Sequence, residues 1–354
     1  MIFSMLKTRK QELPVLALDL GGTKIITALI SKKGEMIARE YCLTLADEGP
    51  ESVINRTLSA IDHLLSLKNI SLSQLNSISI AAAGAINMEK GVVTSSPSLP
   101  GWRDIPLRGV VEEKYKVNTF LINDANAAAL AEHHLGAGKG ANNLIYITVS
   151  TGIGGGIIIN GRLYFGSSGG AGEIGHMTVD ANGPRCNCGN IGCLEVLASG
   201  TAVAREAIRR VSHGEKSSLI EMVEGKIENI TAEKVSLAAR GGDSLALEVI
   251  AKAAAYLGVG IVNLVNIFNP EIIIVGGGMA KMGDLLLDPV RQIVKERAFR
   301  LLAQAVRIVP AQLGDDAGVF GAAIFAFQQG SDQENGTKVD KAGASILTKP
   351  LVIP

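Results

Sequence analysis

The sequence predicts an α/β protein made of two related domains that face each other across a cleft. Two similar segments, at residues 15–30 and 144–159, are the main evidence. In each, an apolar strand, a glycine-rich turn and a second apolar strand follow one another, which is typical of a β-hairpin. The copies begin about 130 residues apart, roughly the length of one domain. Each domain is therefore predicted to open with a hairpin.

Composition agrees with this architecture. The chain has 354 residues, of which 47% are hydrophobic, so a large core and two domains are expected. Glycine is abundant (41 residues) and aromatic residues are few (4%), which favours a glycine-rich α/β protein over a β-sandwich. The 34 basic and 34 acidic side chains give a formal net charge of zero, so there is no excess of positive charge that would indicate binding to nucleic acid or to an anionic membrane.

Neither a secretory signal nor a membrane span is predicted. The first ten residues lack the apolar run and cleavage site of a signal peptide. The longest apolar stretch, residues 253–268, is interrupted by Asn263 and Asn266 and is shorter than the ~20 residues that a span needs. A buried helix is expected there, in a soluble cytoplasmic protein.

Strands and helices alternate along the rest of the chain, which predicts buried sheets between helical layers. Helices are predicted at residues 50–67, 124–135, 200–211, 244–268 and 317–327, and further strands at 77–83, 120–123, 271–275 and 306–310. The predicted domains are an N-terminal extension (1–13), a small domain (14–136) completed by a helix at 317–328, a larger domain (137–316) and a polar, mobile C-terminal tail (330–354).

Three glycine-rich turns, at residues 21–24, 151–156 and 276–278, each follow an apolar strand. Such turns expose backbone N–H groups that bind phosphate oxygens, and Thr23 and Thr151 add hydroxyl donors. None matches the P-loop or the dinucleotide fingerprint. The candidate nucleotide-binding residues are Asp19, Gly21, Gly22, Thr23, Lys24, Thr151, Gly152, Gly154, Gly155, Gly277 and Gly278.

Two charged residues of the first turn have alternative interpretations. Asp19 ends an apolar strand, where a carboxylate is costly unless it is paired or coordinated. It either caps the turn or holds Mg²⁺ through waters beside the phosphates. Lys24 either screens phosphate charge or is a solvated strand residue.

Asp124 lies where a predicted strand meets an alanine-rich helix, between Asn123 and Asn126. It could cap that helix, a common role for aspartate. A carboxylate at the C-terminal end of a strand in an α/β protein also points into the usual ligand crevice. There it could take a proton from an attacking hydroxyl.

Three of the four cysteines, Cys186, Cys188 and Cys193, fall within eight residues, and His176 stands ten residues upstream of the first. Thiolates and imidazole are the ligands of a structural zinc. Ordinary core packing is one alternative, and a disulfide, which would leave one of these cysteines unpaired, is another. Cysteines clustered as metal ligands fit a reducing cytoplasm.

These motifs together resemble the ROK family of bacterial glucokinases, related sugar kinases and sugar-responsive repressors. The resemblance covers roughly residues 14–328 and rests on five runs. They are Asp-Leu-Gly-Gly-Thr-Lys (19–24), Asn-Asp-Ala-Asn-Ala-Ala (123–128), Thr-Gly-Ile-Gly-Gly-Gly (151–156), Gly-Glu-Ile-Gly-His (172–176) and the cysteine loop (186–195).

The resemblance implies an actin-like, hexokinase-type (RNase H-like) fold with ATP and sugar in the interdomain cleft. It implies an ATP- and Mg²⁺-dependent sugar kinase of carbohydrate metabolism, converting glucose to glucose 6-phosphate at the start of glycolysis, and a homodimer or higher oligomer. Asp124 would be the catalytic base. The implied sugar-binding residues are Gly84, Asn123, Asp124, Glu173, His176 and Glu195, and the implied zinc ligands are His176, Cys186, Cys188 and Cys193.

Two departures leave the sugar open. Ser98 replaces the asparagine of the family's Pro-Asn-Leu run, and the loop at 81–85 reads Ala-Ala-Ala-Gly-Ala. N-acetylmannosamine, N-acetylglucosamine, mannose or another hexose is the alternative substrate. A non-catalytic sugar-sensing regulator without its DNA-binding domain is the alternative from another class. About thirteen residues precede the first strand, too few for a helix-turn-helix unit.

Overall fold

The computed structural model describes residues 12–334. The predicted N-terminal extension and the polar tail therefore lie almost entirely outside the described residues. The chain forms two compact units. Unit 1 consists of the described parts of 1–131, 163–171 and 315–354, and unit 2 consists of 132–162 and 172–314. Residues 163–171 of unit 1 fall within the predicted range 137–316, and the predicted domain limits and the cleft stay predictions.

Residues 12–334 form thirteen strands and eleven α-helices. The strands are β1 (Val15–Leu20), β2 (Lys24–Ile30), β3 (Met36–Leu43), β4 (Ser77–Ala82), β5 (Ala85–Asn87), β6 (Val92–Ser95), β7 (Arg103–Ile105), β8 (Thr119–Asn123), β9 (Leu144–Val149), β10 (Ile153–Ile159), β11 (Arg162–Leu163), β12 (Ile272–Gly276) and β13 (Arg307–Pro310). The helices are α1 (Pro50–Leu67), α2 (Leu107–Tyr115), α3 (Asp124–His134), α4 (Leu194–Ala198), α5 (Gly200–Ser212), α6 (Leu219–Met222), α7 (Ala232–Arg240), α8 (Ser244–Phe268), α9 (Asp284–Arg297), α10 (Arg300–Ala305) and α11 (Ala317–Glu334).

The main sheet of unit 1 has the strand order β3-β2-β1-β4-β8. β1 to β3 form an antiparallel meander, whereas β4 and β8 run parallel to β1. Leu16, Leu18 and Leu20 alternate along β1 and enter one apolar core. The opposite face of β1 and β4 packs against α11. Because side chains alternate across a strand, Asp19 lies on that opposite face.

Unit 2 repeats the same plan. Its sheet has the order β11-β10-β9-β12-β13, with β9 and β10 antiparallel and β12 and β13 parallel to β9. The equal strand order, with one antiparallel hairpin and two further parallel strands in each sheet, confirms the predicted pair of related domains. A small third sheet, β5-β6-β7, was not predicted. Its strands have only three or four residues, too short to show a clear alternation.

Helix α8 forms the centre of unit 2. By length and composition alone it could cross a membrane, but 61% of its apolar window is buried inside the protein. Leu257, Ile261 and Val265 of this helix belong to the unit 2 core. The prediction of a buried helix at residues 244–268 is confirmed.

One prediction about local structure is corrected. Residues 154–156 were predicted to lie in a turn, yet they lie in β10, where Gly155 pairs with Ile147. A Cβ atom at Gly155 would lie 2.2 Å from the Cδ1 of Ile174, so close packing rather than chain reversal requires this glycine. Helix α9 was not predicted, and Pro289, a residue that ordinarily interrupts a helix, lies inside it.

Candidate functional site

In unit 1, the junction of β8 and α3 holds the predicted base. The Oδ1 of Asn123 accepts the N–H of Asn126 at 3.0 Å, so Asn123 supplies the side-chain cap of α3. The Nδ2 of Asn123 donates to the carbonyl of Gly84 and to the Oδ1 of Asp124, both at 3.0 Å. The same Oδ1 accepts the N–H of Ala125 at 2.8 Å. Asp124 is thus held in the first turn of α3, where the helix dipole favours a carboxylate.

Asp19 lies at the same edge of this sheet. The register aligns Asp19 with Ala81 of β4, and Ala81 with Ile122 of β8. Two strand spacings, roughly 10 Å, therefore separate the ends of β1 and β8. The structure brings four predicted residues of unit 1 to one edge: Asp19, Gly84, Asn123 and Asp124.

The Asp19 carboxyl has an unusual environment. Burial, and next to it the negative charge of Asp124, raise its pKa from 3.8 to about 7, whereas the positive charge of Lys24 acts in the opposite direction. Asp315 and Asp316 add smaller upward contributions. A side-chain carboxyl with a strongly shifted pKa, at the C-terminal ends of parallel strands, is typical of a functional site. Its oxygens are the ligand type that Mg²⁺ prefers.

The β1–β2 turn packs tightly against the chain around Ser98. A Cβ atom at Gly22 would lie 2.6 Å from the carbonyl oxygen of Ser98, so this position needs a glycine. The N–H of Gly21 donates to the carbonyl of Lys24 at 3.1 Å and closes the turn. The Nζ of Lys24 lies 2.6 Å from Asp315, so this lysine is ion-paired, at a half-exposed position.

In unit 2, the turns after β9 and β12 are neighbours. Thr151 and Gly152 form the first, and the N–H of Ser150 donates to the carbonyl of Gly152 at 2.8 Å. Gly277 has φ +82°, and a Cβ there would lie 2.4 Å from the carbonyl oxygen of Val149. A Cβ at Gly278 would have only the Ser150 Oγ nearby, at 3.8 Å. Gly278 is therefore the more open of these two glycines.

Glu195, a predicted sugar ligand, touches the first of these turns. Its Oε2 accepts the N–H of Ile153 at 2.9 Å, and a Cβ at Gly152 would lie 2.4 Å from that oxygen. A predicted sugar-binding residue and a predicted phosphate-binding turn are thus adjacent in unit 2. The sequence contains no signal for this contact, since 42 residues separate Ile153 and Glu195.

The four predicted zinc ligands converge in unit 2. The Nδ1 of His176 lies 3.8 Å from the Sγ of Cys186, and the Sγ atoms of Cys188 and Cys193 are 3.7 Å apart. All four ligand atoms lie within 4.8 Å of one another. Zinc–sulfur bonds of ~2.3 Å in a tetrahedron put sulfurs about 3.8 Å apart, so the donor set fits zinc. The cysteines are free thiols, so the disulfide alternative is wrong for the described residues.

The two ring nitrogens of His176 face different groups. Nδ1 faces the thiol of Cys186, whereas Nε2 lies 3.9 Å from a carboxylate oxygen of Glu173. The side chain of Glu173 is 59% exposed and can reach a ligand in solvent. One nitrogen of His176 is thus available to a metal, while the other lies beside a second predicted sugar ligand.

Comparisons with known proteins agree with this geometry. The model of the ROK family matches residues 15–329. The chain is 40% identical to a glucokinase of Halalkalibacterium halodurans over 91% of this chain and 97% of that protein. It is 33% identical to a xylose repressor of Caldicellulosiruptor bescii, over 90% of this chain and 79% of the repressor.

Among solved structures, a ROK family glucokinase from Streptomyces griseus in complex with glucose and AMPPNP superposes with a TM-score of 0.79. It is 33% identical, and the match covers 89% of this chain and 99% of that one. The fold is thus the predicted actin-like, hexokinase-type fold, duplicated in the two units. The chain belongs to the ROK family.

Proposed function

We propose that this protein is an ATP-dependent hexokinase that phosphorylates the 6-hydroxyl of a hexose, most simply glucose to glucose 6-phosphate. The observation that carries the proposal is the position of Asp124. Asn123 already caps α3, so Asp124 is not needed as the cap, and it lies at the same sheet edge as Asp19. The related glucokinases support the activity, and AMPPNP, an ATP analogue, supports ATP as the phosphoryl donor.

Asp124 acts as the general base in this proposal. It accepts the proton of the sugar hydroxyl while that oxygen forms a bond to the γ-phosphorus of ATP and the bond to the bridging oxygen of ADP breaks. The bonds from Asn123 and from the N–H of Ala125 orient the carboxylate. Both bonds use Oδ1, which fixes the direction of the carboxyl plane.

Each unit by itself offers candidate residues for binding the nucleotide phosphates. In unit 1 they are Asp19, Gly21, Gly22, Thr23 and Lys24, and in unit 2 they are Thr151, Gly152, Gly277 and Gly278, whereas the predicted Gly154 and Gly155 lie in strand β10. Asp19 would hold Mg²⁺ through waters, and the ion would neutralise phosphate charge. Lys24 would exchange its pairing with Asp315 for a phosphate oxygen.

The predicted sugar ligands stay predictions: Gly84, Asn123 and Asp124 lie in unit 1, and Glu173, His176 and Glu195 lie in unit 2. A zinc ion would be held by His176, Cys186, Cys188 and Cys193, and it would cross-link the cysteine loop (186–195) to His176. His176 would then offer Nε2 to a sugar hydroxyl, and the loop would place Glu195, two residues beyond Cys193. The free thiols agree with a cytoplasmic location. The homodimer, and the absence of nucleic-acid and membrane partners, stay predictions.

A coupled assay of ADP release across glucose, mannose, N-acetylglucosamine and N-acetylmannosamine tests the proposal. Glucose is expected to give the highest kcat/KM. A higher kcat/KM for an N-acetylhexosamine would mean that this sugar, and not glucose, is the substrate. Sugar binding by calorimetry without ADP release from any sugar would contradict kinase function and favour a sugar-sensing protein, as in the related repressor.

A further inference from the structure

Glu132 is a fully buried carboxylate that the proposed reaction does not use. It lies near the C-terminal end of α3, and its side chain accepts three backbone N–H groups. Oε2 accepts the N–H of Ala137, and Oε1 accepts those of Gln312 and Leu313, each at 2.8 Å. A buried charge is tolerated only with such partners, and bonds to an ionised acceptor are the stronger kind. We call these four residues the Glu132 clamp.

The main chain of Glu132 also takes part. Its carbonyl accepts the N–H groups of Gly136, at 3.2 Å, and Gly138, at 2.9 Å, where α3 ends. A Cβ atom at Gly136 would lie 2.1 Å from Oε2, so the glycine is needed for the carboxylate to fit. Side chain and main chain of one residue thus determine how α3 ends.

The clamp joins two segments that are 180 residues apart in the chain. Each segment continues directly to the candidate site of unit 1. Asp124 lies eight residues before Glu132 on the same helix, roughly 12 Å along its axis. Two residues after Leu313 comes Asp315, which pairs with Lys24. Three residues further on, Gly318 contacts Asp19.

We infer that Glu132 is a positioning residue for phosphoryl transfer. By holding the end of α3 and residues 312–313 on one carboxylate, it determines where the helix presents Asp124 and where the next residues present Asp315. This inference rests on the proposed kinase function. A carboxylate is required because both oxygens accept N–H groups, whereas a glutamine would turn its NH₂ group against a backbone N–H.

The variant Glu132→Gln tests this role, with Asp243→Asn as the matched control. Asp243, which like Glu132 lies in unit 2, caps α8 and also accepts two backbone N–H groups, from Ala246 at 2.9 Å and Ser218 at 2.7 Å, but touches no candidate site residue. Both variants are expected to lower the Tm. Only Glu132→Gln should also lower kcat, by about tenfold or more, and by a clearly larger factor than it raises the glucose KM, because Glu173, His176 and Glu195 do not lie on α3.

Should Glu132→Gln fail to fold, Gly136→Ala displaces the same carboxylate without replacing it and should show the same split between kcat and KM. Hydrogen exchange should be faster at the amides of Ala137, Gln312 and Leu313 in either variant. Unchanged exchange, a wild-type kcat, or an equal loss of kcat in Asp243→Asn would overturn the positioning role. If the wild-type protein released no ADP with any of the hexoses, that result would instead overturn the proposed function, and the positioning role with it.

Discussion

Gly318 contacts Asp19 so closely that a Cβ atom at position 318 would lie 2.4 Å from the carboxyl carbon of Asp19. Gly318 is the second residue of α11, where alanine would ordinarily be the better helix former. The glycine lets the first turn of α11 approach the end of β1, so the Asp19 carboxyl lies directly against this turn.

Gly318→Ala is therefore expected to reduce activity, and it should not stabilise α11 as alanine ordinarily does. Steady-state kinetics and thermal denaturation measure both effects. Gly330→Ala, in the same helix with no heavy atom near its Cβ, is the matched control and should stabilise the protein by about 0.5–1 kcal/mol. Equal effects of the two substitutions would show that the contact with Asp19 has no functional weight.

Asp124→Asn keeps the size of the side chain but removes the ability to accept a proton. We expect kcat to fall by roughly 10²-fold or more while glucose binding survives. Isothermal calorimetry and the ADP-release assay measure the two quantities separately. Asp47→Asn, an exposed carboxylate of unit 1 outside the candidate site, should leave both unchanged. Near-normal turnover of Asp124→Asn would assign the base to another group.

The raised pKa of Asp19 predicts a specific pH dependence. The folded chain binds the Asp19 proton up to about pH 7, whereas the group's ordinary pKa is 3.8. Between these values the folded state holds more protons than the unfolded state, so the Asp19 contribution to the free energy of unfolding falls as pH rises. Above about pH 7 it stays at its lowest value.

Asp19→Asn removes this titration. The stability of the variant minus that of the wild type should be larger at about pH 8 than at about pH 5, in buffer without Mg²⁺ or nucleotide. The reason is that only the wild type acquires a buried negative charge between these pH values. Thermal denaturation at both pH values measures the difference. The same stability difference at the two pH values would mean that Asp19 is ionised throughout.

Cys188→Ser should lower the Tm and raise the glucose KM by more than the ATP KM, because the cluster adjoins Glu173 and places Glu195. Elemental analysis of the wild type should find about one zinc per chain, as one four-ligand site requires. Cys42→Ser, which alters a cysteine of β3 outside the cluster, is the control and should keep the metal. No bound zinc in the wild type, or an unchanged glucose KM in Cys188→Ser, would show that this loop does not contribute to sugar binding through a metal.

Much of the site was visible in the sequence because its residues are close along the chain. Asn123 and Asp124 are adjacent, and the predicted zinc ligands span only residues 176–193. Strand ends, helix starts and ligand spacing are local properties, and hydrophobic periodicity reports them well. The choice between Asn123 and Asp124 as the cap of α3 required coordinates, because both residue types are good caps.

The sequence alone determined that the protein has two similar α/β domains, since β-branched runs, glycine turns and apolar helices repeat along it. Only the tertiary structure decided what the glycines are for. Gly155 makes room for Ile174, Gly22 for Ser98 and Gly318 for Asp19. These contacts, like the bond between Glu195 and Ile153 and the Glu132 clamp, join residues far apart in the chain. They depend on strand register and helix packing, which no local pattern encodes.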